Sequence, residues 1–201
     1  MIDLNISDSQ KKNLVEVLKT IFVCLLIFTI FMIVKVFWLQ VVSVKGDSMK
    51  PAIEDGNVLL INKLGNKDKY DRYDVIVFKP YSQDDPDTEN EDESKLLYIK
   101  RVIGLPGETV TILEDGSIRV TDKNGTSTVL EDSYGSGYLS KGINWDISDD
   151  NIHETITLDS DEYFVLGDNR NISLDSRSSE IQAVHSNSIV GKYMLRIYPM
   201  F

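Results

Sequence analysis

The chain has 201 residues, enough for one domain of ordinary size and a modest addition. With 42% hydrophobic, 26% charged and 9% aromatic residues it reads as globular rather than collagen-like, coiled-coil or wholly disordered. A net charge of −11 argues against a nucleic-acid partner, because a phosphate-backbone reader needs a basic face.

From the N-terminus, residues 21–34 (IFVCLLIFTIFMIV) carry no charge, and after Lys35 the apolar run continues as VFWLQVVSV. About 20 helical residues at 1.5 Å each cross a bilayer core of ~30 Å, so the sequence predicts a transmembrane signal anchor over 20–40 behind a short cytoplasmic tail, 1–19. Lys35 is expected to snorkel to an interface, with Phe37 and Trp38 in an aromatic belt. A buried core helix would show a polar stripe, and 21–34 has none. A cleaved secretory signal would need small residues at its cleavage site, yet no alanine precedes Ala52 and no glycine precedes Gly46. Lys11, Lys12 and Lys19 before the span are nearly balanced by Lys45 and Lys50 after it, so charge bias leaves the orientation open. Residues 1–20 hold three lysines and three acids and Lys35 lies in the span, so the chain from residue 36 carries −12.

The body, 41–201, is expected to be mainly β: it has only two alanines, Ala52 and Ala183, and many short Val/Ile/Thr/Tyr runs between turn residues. Strands are predicted at 40–44, 57–62, 74–79, 96–103, 109–113, 117–121, 126–130, 162–166 and 189–198. Asp115-Gly116 and Asn124-Gly125 read as two-residue hairpin turns within a meander over 108–130. Residues 84–94 (DDPDTENEDES) hold seven acids and read as a solvated loop; the D-x-D-x-D-G calcium pattern is absent. An irregular insertion is expected over about 131–158. Cys24 cannot form an intramolecular bridge, and neither it nor His153 and His185 lies at metal-ligand spacing, so no disulfide, metal or cofactor is expected.

Three clusters could carry chemistry. In Gly46-Asp47-Ser48-Met49-Lys50-Pro51 a serine sits in a turn between a flexible glycine and a φ-fixing proline; alone, this is an ordinary turn as readily as a nucleophile site. In Tyr98-Ile99-Lys100-Arg101-Val102-Ile103-Gly104 strand alternation puts Lys100 on one face with Tyr98 and Val102, where it either snorkels or is desolvated. Desolvation matters, since depression to pKa ~7 would make half of such lysines usable as a base. The third, residues 167–177 (GDNRNISLDSR), suggests a polar network under a site, with Asp175 and Arg177 able to pair. No histidine suits a Ser-His-Asp triad, which favours a serine activated by lysine.

These boxes, with Y-D-V-I-V-F-K-P at 73–80, Y-I-K-R-V-I-G-L-P-G-E at 98–108 and the closing G-K-Y-M-L-R-I-Y-P at 191–199, closely resemble the bacterial type I signal peptidases over roughly 20–199. The resemblance implies a membrane-anchored serine endopeptidase on a β-rich fold, its site on the extracytoplasmic side, cutting preproteins after small residues. Ser48 would match the nucleophile and Lys100 the general base. Ser173 would match the serine that orients the lysine amine, with Asp175 and Arg177 in support. The Ser48 N–H would be one oxyanion donor; some members add a serine hydroxyl two residues earlier, where this chain has Gly46, so that donor is missing. Ala52 stands where many members carry threonine. The implied partners are preprotein signal peptides and membrane lipid; the protein is expected to act as a monomer, with room for association with the secretion machinery. Two alternatives stand beside this reading: a repressor-type self-cleaving Ser/Lys protease, which would carry an N-terminal DNA-binding motif, and an anchored extracellular binding module without catalysis.

Overall fold

The computed structural model describes residues 8–64, 69–79, 97–113, 116–135, 155–178 and 180–199. The chain divides into two units, Met1–Leu39 and Gln40–Phe201.

In the first, helix α1 (Asp8–Phe37) runs 30 residues, about 45 Å at 1.5 Å per residue. It starts well before the expected span. Residues 11–20 are mostly good helix formers, and Lys19 pairs with Glu16 one turn back at 3.1 Å. Within it, Lys11–Ile33 is long and apolar enough to cross a membrane. The one hydroxyl of the apolar run, on Thr29, donates to the Leu25 carbonyl at 2.8 Å, so no side-chain donor is stranded there. The roles expected for Lys35 and Phe37 concern side chains that lie outside the described residues.

The second unit is mainly β, as the composition indicates. A seven-stranded sheet has the order β1 (Leu39–Ser43), β2 (Val58–Asn62), β11 (Ile189–Tyr198), β3 (Val75–Phe78), β4 (Tyr98–Gly104), β9 (Glu162–Leu166) and β10 (Val184–His185). A four-stranded sheet has the order β7 (Ser127–Val129), β6 (Ile118–Thr121), β5 (Thr109–Ile112) and β8 (Thr155–Thr157). The β1 to β7, β9 and β11 positions fall within two residues of those expected.

Strand alternation sorts the core. From β3, Ile76 and Phe78 pack with Val102, Tyr163 and Val165 on one face of the large sheet. Val75 and Val77 pack on the other with Met49, Leu59, Ile61 and Ile99. A third cluster joins Ile103, Phe164 and Leu166 of the large sheet to Val110, Ile118 and Val120 of the small one. Gly104 sits at that junction, where a Cβ would overlap the Val110 side chain.

Three expectations need correction. Both hairpins close with three-residue loops, not two. Asp122 N donates to Thr126 O at 3.0 Å and Leu113 N to Ser117 O at 2.9 Å, with Gly125 and Gly116 at φ +83° and +82°. At 122–126 the Gly125 N–H donates to Asp122 O at 3.0 Å, and the Asp122 carboxylate fixes that loop by accepting Asn124 N and Thr126 N at 2.8 Å each. The insertion is not wholly irregular: β8 lies inside it and pairs with β5, with Thr109 and Thr157 hydroxyls 3.0 Å apart. Strand β10 was not anticipated, because two residues carry no period; it pairs with Tyr163 and Glu162. The acidic loop 84–94, residues 136–154 and His153 lie outside the described residues. His185 is exposed beside Asp161, 3.3 Å away.

Candidate active site

Ser48 lies in the connection from β1 to β2, and that loop is fastened along its length. Val44 N donates to Asn57 O at 2.8 Å and Ile53 N to Met49 O at 2.9 Å, while Met49, 2% exposed, is sunk into the core directly after the serine. Gly46 adopts φ +90°, a left-handed conformation suited to glycine, and its N–H donates to Asp55 Oδ1 at 2.7 Å. That N–H is therefore occupied by a carboxylate. The Ser48 N–H donates to no group among the described residues.

Lys100 approaches from β4. Its neighbours Val75 and Ile76 of β3 pair with Arg101 and Lys100, which sets the register that aims the amine at the serine loop. The side chain is buried, 3% exposed, and its Nζ donates to Ser48 Oγ at 2.9 Å and to the Ile99 carbonyl at 3.0 Å. Burial pulls its pKa down from 10.5 to about 8; Asp175 and Asp168 pull it back up, while Arg177 lowers it. Burial is the largest of these influences, and the two carboxylates act against it.

The segment after β9 supplies the floor. Gly167 is wedged so tightly that a Cβ would overlap both Ser173 and the Ser48 carbonyl oxygen, which explains the glycine there. Its N–H donates to Asp175 Oδ2 at 3.0 Å, and fully buried Asp175 holds Arg177 in a two-pronged pair, Nε to Oδ1 at 2.7 Å and Nη2 to Oδ2 at 2.9 Å. Ser173 is brought to this place, but the hydrogen bond expected from it to the lysine amine is not formed. Its Oγ is buried against Gly167 with no hydrogen-bond partner among the described residues. Asn169 touches the Ser48 loop directly: its N–H donates to Ser48 O at 2.9 Å and its side-chain Nδ2 to Asp47 O at 3.2 Å.

The arrangement is a serine hydroxyl hydrogen-bonded to a dry amine, beside an unengaged main-chain N–H. Comparison with known proteins gives it a family. The family described as signal peptidase, peptidase S26, matches residues 14–198. The chain belongs to that family. It is 30% identical over 198 residues to signal peptidase IB of Staphylococcus aureus strain Mu50, covering 94% of this chain and 92% of that one. It is 29% identical over 192 residues to signal peptidase I P of Bacillus subtilis subsp. natto, covering 95% and 92%. A solved signal peptidase I from Enterococcus faecalis V583 is 30% identical, with a TM-score of 0.41 over 62% of this chain and 96% of that one. Membership of the signal peptidase family makes the chain a peptidase, and sets aside the reading as a binding module without catalysis.

In this signal peptidase family member several site residues escape sequence reasoning. Arg101, on the opposite face of β4 from Lys100, makes a buried fork with Asp168, Nε to Oδ1 at 2.8 Å and Nη2 to Oδ2 at 2.6 Å, and donates Nη1 to Tyr73 O at 2.9 Å. Tyr134 covers that guanidinium, 4.0 Å from ring centroid to Cζ. Arg170, 1% exposed, donates Nε to Gly167 O at 2.8 Å and lies 2.5 Å from Asp132. A readable cue existed for Arg101: an arginine alternating with Ile99 and Ile103 is buried, and a buried arginine must be paired. Which acid pairs with it is set by the fold alone.

Proposed function

We propose that this protein is a membrane-anchored serine endopeptidase that removes N-terminal signal peptides from exported preproteins, with Ser48 as nucleophile and Lys100 as general base. The observation that carries this reading is the 2.9 Å contact between Lys100 Nζ and Ser48 Oγ on a lysine withdrawn from water. The names of its relatives support the substrate, and the apolar stretch Lys11–Ile33 supports the anchor; the extracytoplasmic placement of the catalytic body follows from the family resemblance.

Neutral Lys100 accepts the Ser48 hydroxyl proton as Oγ attacks the scissile carbonyl carbon, and the carbonyl oxygen becomes an oxyanion that the Ser48 N–H stabilises. The resulting ammonium gives its proton to the leaving amine as the C–N bond breaks, which leaves an acyl-enzyme ester. Water, deprotonated by the same lysine, hydrolyses it. Gly46 offers no hydroxyl, and its N–H is held by Asp55, so the oxyanion relies on residue 48. Small residues before the cut, action as a monomer and contact with the secretion machinery follow from the family resemblance. The anchor raises the effective concentration of site and substrate at one membrane face.

The test is preprotein cleavage by the full chain in lipid vesicles. Ser48→Ala and Lys100→Ala are each expected to lower kcat/KM at least about 10³-fold. Lys100→Arg should do the same, since a guanidinium cannot be deprotonated at working pH. Full activity in any of the three would overturn the assignment.

A further inference from the structure

We propose that Asn169 is a positioning residue for transition-state stabilisation: its side chain fixes the Asp47–Ser48 peptide so that the Ser48 N–H faces the developing oxyanion. This rests on the reading of Ser48 as nucleophile. A trans peptide is planar, so its C=O and N–H point in opposite directions. A group that holds the Asp47 carbonyl therefore sets the direction of the Ser48 N–H. Asn169 Nδ2 donates to that carbonyl at 3.2 Å, beside the turn bond from Lys50 N at 3.2 Å, and because a carbonyl only accepts, the amide edge facing it must be the NH2.

The next peptide is held by the same residue. Asn169 N donates to Ser48 O at 2.9 Å, so one residue clamps the two peptide planes that meet at the Ser48 Cα. This close approach requires Gly167, where any side chain would strike Ser48 O. On the upstream side Asp55 holds Gly46 N–H. Within the Asp47–Ser48 peptide the carbonyl is held, while the Ser48 N–H has no hydrogen-bond partner among the described residues. Donation into the carbonyl also polarises the peptide, which strengthens the N–H on its far side.

The contribution should appear only when negative charge develops on the substrate oxygen. Asn169→Asp keeps the size but replaces the donor with an acceptor, and Asn169→Ala removes the group without adding repulsion; both retain the main-chain bond to Ser48 O. In the full chain with a preprotein-derived peptide, each is expected to lower kcat about tenfold or more with KM changed less than about twofold. A peptide aldehyde of the same sequence, which forms a tetrahedral adduct on Ser48, should lose affinity by the same factor as kcat. Binding of the uncleaved peptide to Ser48→Ala/Asn169→Ala should match that to Ser48→Ala. Unchanged kcat, or parallel losses in aldehyde and uncleaved-peptide binding, would overturn the inference, the second by showing that Asn169 merely supports the fold. If Ser48→Ala itself cleaved the peptide, the assignment of the nucleophile would fail instead, and the two failures are distinct.

Discussion

Lys100 is held between two demands, since burial favours its neutral form while Asp175 and Asp168 favour its charged one, and the balance lies at about 8. At pH 7 roughly one such lysine in ten is neutral, against fewer than one in a thousand for a free side chain. The acylation step, followed as kcat/KM, should rise about tenfold per pH unit below about 8 and level off above it. Stability has its own sign. The folded pKa lies below the unfolded value of 10.5, so the unfolded chain binds more protons between about 8 and 10.5 and stability rises with pH across that window. Below it, the buried ammonium costs about 3 kcal/mol at ~1.4 per tenfold. Lys100→Met should therefore be more stable than the parent at pH 6 in urea titrations, with the gain shrinking towards pH 10. The pairing of Ser48 with Lys100 is suggested by residue types, but their 2.9 Å contact spans 52 positions and no local pattern encodes it. Ser173 shows the limit from the other side: its place near the lysine follows from the box, whereas the orientation of its hydroxyl depends on packing against Gly167.

At the scale of elements, most strands were legible because each lies in a run of strand-forming residues bounded by turn residues, the three-residue β7 included through the run 126–130; β8 is hidden within the stretch read as irregular, and β10 at two residues shows no period. The larger gap is the polar scaffold that joins elements. Residues 131–135 after β7 read as shapeless, yet Asp132 meets buried Arg170 and Tyr134 lies on Arg101, so this short stretch braces both arginines. Removing one partner of a buried ion pair strands the other, so Asp132→Asn should cost on the order of 3–5 kcal/mol by chemical denaturation. Gly167→Ala tests the junction itself. Its Cβ would meet backbone as well as side chain, and the variant should lose at least about 10²-fold in kcat/KM with a lowered melting temperature.

For the molecule as a whole, the composition hides a division of labour between an apolar helix and a body that carries the acidic charge, and both were visible once the chain was read by segment. A protein lacking residues 1–37 keeps every strand and every site contact named above. It should cleave a soluble peptide within about threefold of the full chain yet process preproteins in vesicles at least about tenfold more slowly, because it loses co-localisation with them.

The order of strands in the large sheet also dictates timing. The serine loop hangs between β1 and β2, the lysine stands on β4, and the strand inserted between these halves is β11, pairing with β2 on one side and β3 on the other. Synthesis delivers both reactive groups long before the strand that joins their halves. The proposed nucleophile and base thus sit on two halves of the sheet that are joined by its last strand in chain order, and the contact between them depends on that strand being in place.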